Sequence, residues 1–149
     1  MPFSSALTAV VLGGLIPAVL FGVSGALQKG ATGAGLGLAT YLLCVGAGVV
    51  AVGAAFWAAL PGEHVATGKG VGLAVLLGVC WAGGSGLVAI AITRYGGQIA
   101  QLAPLYNTNT LVTVLIGLVV FSEAASLDVP RLVLGALLII AGSVLAATA

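Results

Sequence analysis

Apolar residues run in five long stretches, separated by short clusters of glycine, proline and charge. Each stretch approaches or exceeds the about 20 residues that a helix needs to cross hydrocarbon. The first runs from about Ala6 to Gln28, and Lys29-Gly30-Ala31-Thr32-Gly33 ends it. The second runs from about Gly35 to Leu60 and stops at Pro61-Gly62. A polar loop from Glu63 to Gly70 follows, then a third stretch from Val71 to about Thr93. Arg94-Tyr95-Gly96-Gly97 reads as a tight turn before a fourth stretch, Gln98 to Phe121. Glu123 and Asp128 lie in the next loop. Pro130 suits the first turn of a fifth helix, where its missing N–H costs nothing. That helix runs to about Ala147. The pattern predicts an all-α fold: a polytopic membrane bundle of five transmembrane helices, one domain over residues 1–149, with spans 6–28, 35–60, 71–93, 98–121 and 130–147.

Composition sharpens this picture. The chain is 61% hydrophobic and 5% charged, where a soluble domain carries about 25% charged residues. So few charges would not cover a soluble surface. There is no basic patch for phosphates, so nucleic-acid binding is excluded. Disordered chains are poor in apolar residues, and a barrel needs ten-residue alternating strands; neither fits. Met1 to Ser5 has no Lys or Arg and the apolar run is long, which does not read as a signal peptide. Cys44 and Cys80 both fall mid-span and read as small core residues.

With five spans the termini lie on opposite sides. Lys29 and Arg94 fall on one side, Lys69 and Arg131 on the other. Orientation follows the Lys/Arg excess in short cytoplasmic loops, and two against two leaves no excess. The inference is insertion both ways up; the plainer alternative is that one charge near the first helix decides.

Polar residues inside spans usually face a bundle interior or a cavity. The fourth span holds six among the eight residues from Tyr106 to Thr113. On a regular helix Tyr106, Asn109, Thr110, Thr113 and Gly117 fall within about 60° of one direction. Pro104 removes one backbone bond and is expected to kink the helix just before this cluster. Asn and Thr also bond helix to helix, for about 1 kcal/mol or less. Their density here favours a lined cavity. Pro17, Phe21, Ser24 and Gln28 form a matching stripe in the first span, with Pro17 a second kink position. Tyr41, Cys44 and Gly48 do so in the second span, and Trp81 and Ser85 are one turn apart in the third. Trp81 could be cavity wall or core packing. Trp57, near a membrane boundary, reads as an interfacial anchor. Gly46, Val50 and Gly53 stand at close-packing intervals, and Gly135 with Gly142, seven apart on one face, is a surface for helix packing or a dimer.

The spans hold no carboxylate away from their ends, which argues against a strongly cationic substrate and against a membrane-embedded acid binding protons and cations in turn. His64 has no partner set for a metal or a triad and reads as a solvated loop residue. Gly62 to Lys69 fails the phosphate-loop pattern, with Glu63 where glycine is required and Gly70 where Ser or Thr is required. No nucleophile–base or metal set stands at depth, so no enzyme, catalytic residue, metal or cofactor is expected.

The stretch Ala91-Ile-Thr-Arg94-Tyr-Gly-Gly-Gln-Ile-Ala-Gln-Leu-Ala-Pro104-Leu-Tyr-Asn-Thr-Asn-Thr continues through Val114-Leu-Ile-Gly117-Leu-Val-Val-Phe-Ser-Glu123. Then comes Arg131-Leu-Val-Leu-Gly135-Ala-Leu-Leu-Ile-Ile-Ala-Gly142. A proline-bearing span, a Glu just after it and a final span with Gly-x6-Gly resemble the EamA-type drug/metabolite transporters, at half length. Gly22-Val-Ser-Gly25 and Gln28-Lys29 resemble the layout of the family's front half. The resemblance implies one of two inverted five-span repeats, hence an antiparallel dimer with an identical chain or a paralogous half, around a midplane site. It also implies a multi-pass protein of a bacterial or archaeal cytoplasmic membrane. The chain departs from the four-span small multidrug resistance group by its extra span and its lack of an acidic residue in span one. The expected function is transport of a small neutral or zwitterionic metabolite, with Tyr106, Asn109, Thr110, Thr113, Trp81, Ser24 and Tyr41 lining the cavity. The alternative is a non-transporting membrane subunit that assembles with or regulates another complex. A lipid-acting intramembrane enzyme is a third, weaker reading.

Overall fold

The computed structural model describes residues 3–62 and 64–149; Glu63 lies outside the described residues. Helix α1 (Phe3–Val10) passes through a π turn (Val11–Leu15) into α2 (Ile16–Gly33). There follow α3 (Leu38–Ala59), α4 (Gly68–Tyr95), α5 (Ile99–Tyr106), α6 (Asn109–Val119), a 3₁₀ turn (Glu123–Ser126) and α7 (Val129–Ala147). Five segments are long and apolar enough to cross a membrane: Leu7–Gly33, Leu38–Ala59, Gly68–Tyr95, Ile99–Val119 and Val129–Ala147. No strand occurs among the described residues, so the fold is all-α and of the multi-pass membrane kind.

Several helix ends differ from the sequence expectation, each for a local reason. The first span continues past Gln28 to Gly33. Gly30 and Gly33 lower helix propensity by about 1 kcal/mol each without forbidding helix. The stop is Gly35, which takes the left-handed conformation at φ 88°. There Gly35 N–H bonds Thr32 O and Leu36 N–H bonds Ala31 O, at 3.2 and 3.4 Å. This paired 5→2 and 6→1 closure ends a helix on a residue without a Cβ. The second span accordingly starts at Leu38, after Gly37 in extended conformation. The third starts earlier than expected, at Gly68, because Thr67 Oγ1 accepts the Gly70 N–H at 3.2 Å. Lys69 and Gly70 are therefore helical. At the other end Gly96, at φ 67°, closes α4 onto Ala91 O. The fifth span opens as expected, with Pro130 in its first turn and Asp128 accepting from Arg131 N–H at 3.3 Å.

All four basic residues thus lie in helices and not in loops: Lys69, Arg94 and Arg131 in terminal turns, and Lys29 one turn before the end of α2. Lys69 and Arg94 bracket α4, about 37 Å apart at 1.5 Å per residue. That exceeds the about 30 Å of hydrocarbon, so both charges reach the headgroup level.

The chain divides into two compact units, Met1–Gly96 and Gly97–Ala149. In the first, α2, α3 and α4 pack against one another. Their buried residues are Gly25, Thr32, Tyr41, Gly86 and Ala89. Successive spans alternate in direction, so all five lie toward one end of the unit. Gly86 faces α3; a Cβ there would stand 3.6 Å from Leu42 Cδ1 and 3.9 Å from Leu38 Cδ1. In the second unit α7 packs on α5 and α6, burying Ala136 and Ser143. These two are seven residues apart and share one face.

The Gly135–Gly142 stripe is displaced from this packing face by one residue. A Cβ at either glycine would meet nothing within 4 Å, and the same holds at Gly46 and Gly53.

The α4 cap supplies a first test. Thr67→Ala is expected to lower stability by about 1 kcal/mol, with Thr67→Ser recovering most of it, measured by reversible unfolding in bicelles. A Cβ on Gly70 would stand 2.9 Å from Thr67 Oγ1. Gly70→Ala is therefore expected to cost clearly less in the Thr67→Ala background than alone.

Candidate functional site in the fourth span

The fourth span is not one regular helix. It is α5 and α6 joined at Asn107-Thr108, the ninth and tenth residues of the 21 in Ile99–Val119. Around the joint the ladder tightens. Thr108 N–H bonds Leu105 O, Thr110 N–H bonds Asn107 O and Leu111 N–H bonds Thr108 O, all at i−3 and at 3.0–3.2 Å. Three hydroxyls reinforce this. Thr108 Oγ1 donates to Leu105 O at 2.7 Å, Thr110 Oγ1 to Asn107 O at 2.9 Å and Thr113 Oγ1 to Asn109 O at 3.2 Å. Hydroxyl back-bonding of this kind competes with the helical ladder. Leu105 O takes both the amide and the hydroxyl of Thr108, which explains why the helix breaks here. Pro104 lies inside α5, three residues before the break, and its missing N–H leaves Ala100 O without an i+4 donor. The irregularity falls within the polar cluster, where the sequence pointed to a kink just ahead of it.

The break changes the register of the expected stripe. Each residue of a 3₁₀ turn adds about 20° of rotation over an α-helix. Asn109, Thr110, Thr113 and Gly117 keep their common face on α6, while Tyr106, three residues before Asn109 across the 3₁₀ turn, moves from the middle of that face to its edge, in line with Asn109. Tyr106, Asn109 and Thr113 are exposed and Thr110 half-buried. None of these groups carries charge, and each bound hydroxyl retains oxygen lone pairs to accept with.

Glu123 folds back onto this helix. A Cβ on Gly117 would stand 2.9 Å from Glu123 Oε2, so the glycine makes room for the carboxylate. Ser122, left-handed at φ 56°, turns the chain for it. Glycine six residues before a glutamate is the sequence trace of this contact, visible only once the turn is known.

The remaining candidates belong to the first unit. Tyr41 is buried, Trp81 is half exposed and Ser24 is exposed, its hydroxyl donating to Phe21 O at 2.8 Å. Pro17 follows the π turn, in which Ile16 N–H reaches Val11 O, five residues back. Such a widened turn relieves a ladder that proline cannot continue. Two contacts here escaped sequence reasoning. Gln28 Nε2 donates to Ser85 O at 2.8 Å, tying α2 to α4. His64 does not stand free in its loop: its ring stacks on Trp57 with centroids 3.8 Å apart and planes 3° from parallel. Its Nε2 lies 2.9 Å from Trp57 O. A cavity of about 230 Å³ beside this pair is lined by Gly53, Phe56, Trp57, Leu60 and His64.

Among the described residues no three His, Cys, Asp or Glu gather as a metal site. Comparison with protein-family models, curated proteins and solved structures gives no match.

Removing the competing hydroxyl should repair the ladder. Thr108→Val is expected to slow amide exchange at Asn109 and Thr110, read by hydrogen–deuterium exchange; unchanged rates would mean that Pro104 alone sets the break. Gln28→Leu is expected to cost about 1 kcal/mol or less in bicelle unfolding.

Proposed function

We propose that this chain is half of a small-molecule transporter, working as an antiparallel dimer by alternating access around a midplane cavity. The observation that carries the reading is the break at Asn107-Thr108, mid-span and surrounded by uncharged polar side chains. Irregular backbone at membrane depth is tolerated where it is buried in protein or lines a water-filled cavity. Transporters use discontinuous helices to present backbone and side-chain groups to a substrate. Amide, hydroxyl and phenol groups without charge suit a neutral or zwitterionic metabolite. Tyr106, Asn109, Thr110 and Thr113 would contact it.

The dimer rests on separate support. Alternation of five spans puts Lys29 and Arg94 opposite Lys69 and Arg131, an even split that gives no orienting excess. The open glycine face of α7, at Gly135 and Gly142, allows close approach of another helix. By the resemblance to EamA-type transporters, the membrane is the cytoplasmic membrane of a bacterium or archaeon. A fixed orientation would instead favour a paralogous half or a non-transporting subunit.

Two measurements test this. Tyr106→Ala with Asn109→Leu is expected to abolish uptake by vesicles while leaving helicity intact; unchanged uptake and ligand binding would remove the site. A cysteine added after Ala149, on a Cys44→Ala and Cys80→Ala background, is expected to be labelled from outside in about half the molecules, as an even charge split predicts. Labelling of all or none would end the homodimer of inverted copies.

A further inference from the structure

The cavity beside Trp57 and His64 is unrelated to the fourth span and does not depend on the transport reading. It begins at Gly53, inside the second span, and runs past Phe56 and Leu60 to His64 beyond the helix end. Gly53 to Leu60 covers about 10 Å along the axis. Over that length the lining changes from a bare glycine backbone and apolar side chains to an aromatic pair with a polar edge. At about 230 Å³ it is smaller than the roughly 300–1,000 Å³ of a metabolite pocket. Its position at the end of an apolar span places it where acyl chains meet headgroups. It is continuous with the lipid-facing surface, since Phe56 and Trp57 are each 62% exposed.

The ring chemistry narrows the occupant. A backbone carbonyl only accepts, so His64 Nε2 carries the hydrogen that Trp57 O receives. In the neutral ring Nδ1 is then an acceptor. It matches a headgroup that donates, such as the ammonium of phosphatidylethanolamine, and not the fully methylated choline. The stack and the bond hold the imidazole in place before any lipid arrives, while Gly53 leaves the floor open, with nothing within 4 Å of a Cβ.

We infer that this groove is a binding site for one phospholipid with a hydrogen-bond-donating headgroup, its chain along Gly53, Phe56 and Leu60 and its headgroup at His64. The test uses the full chain in phosphatidylcholine vesicles. Trp81→Phe leaves Trp57 as the sole tryptophan, because the chain has 2. A small fraction of brominated phosphatidylethanolamine, with bromines near the glycerol end, is added and Trp57 fluorescence is read. Quenching is expected several-fold above the share set by its abundance, and above that of brominated phosphatidylcholine. Gly53→Leu should fill the groove and return quenching to the statistical share. His64→Phe should keep an aromatic stack but remove the preference between headgroups, so the proposal stays testable if Gly53→Leu does not fold. Statistical quenching by both lipids would mean ordinary annular contact, and would overturn the site. Absence of quenching at any brominated fraction would mean that protein, a second copy included, covers the groove, and would overturn it equally.

Discussion

In hydrocarbon a backbone N–H or C=O has no water to turn to, and each unpaired group costs several kcal/mol. That constraint governs the rest of this structure. It makes every span a helix, and it governs how the spans are allowed to deviate from one. Where Pro17 interrupts the ladder, the turn widens and Ile16 N–H reaches back five residues to Val11 O. Where the fourth span breaks, amides shift to i−3 acceptors and the hydroxyls of Thr108, Thr110 and Thr113 bond carbonyls of the same segment. Irregularity is accommodated locally, by bonds within the same segment.

Side-chain packing plays a smaller part than it would in water. Lipid tails are as apolar as leucine, so burying a leucine between helices gains little. The buried apolar side chains among the described residues are Tyr41, Ala89 and Ala136, while large residues such as Leu43, Leu77 and Val119 stand more than two-thirds exposed. Contacts form instead where small residues let backbones approach, at Gly86 against Leu38 and Leu42 and along Ala136 and Ser143. The Gln28–Ser85 bond fits the same logic, as a polar group that finds a carbonyl on the neighbouring helix when lipid offers none.

Polar capping then marks where hydrocarbon ends. Thr67 and Asp128 open their helices with a side-chain oxygen on a free amide. His64 acts at a C-terminus, placing a ring nitrogen on Trp57 O. The Asp128–Arg131 ion pair, at 3.2 Å and mostly exposed, adds little energy of its own. Its residues serve more by holding α7's first turn at the headgroup level.

Sequence alone determined the membrane class, the five spans, the all-α fold and the polar concentration from Tyr106 to Thr113. These follow from hydropathy and from backbone satisfaction, which are local and additive along the chain. The ends of the spans were less legible. Lys29 and Lys69 look like loop residues, yet the helices run on or begin early because Gly35 and Thr67 set the stops. The tertiary structure decided what depends on competition between bonds or on contacts distant in sequence. Thr108's hydroxyl and amide share one carbonyl, so the break lies within the cluster and Tyr106 shifts from the middle of the polar face to its edge, in line with Asn109. Gly117 admits the Glu123 carboxylate because Ser122 turns left-handed. Gln28 meets Ser85, 57 residues away, and His64 meets Trp57 across a proline–glycine turn. Periodicity assumes a uniform helix and sees one segment at a time, and each of these contacts breaks one of those two assumptions.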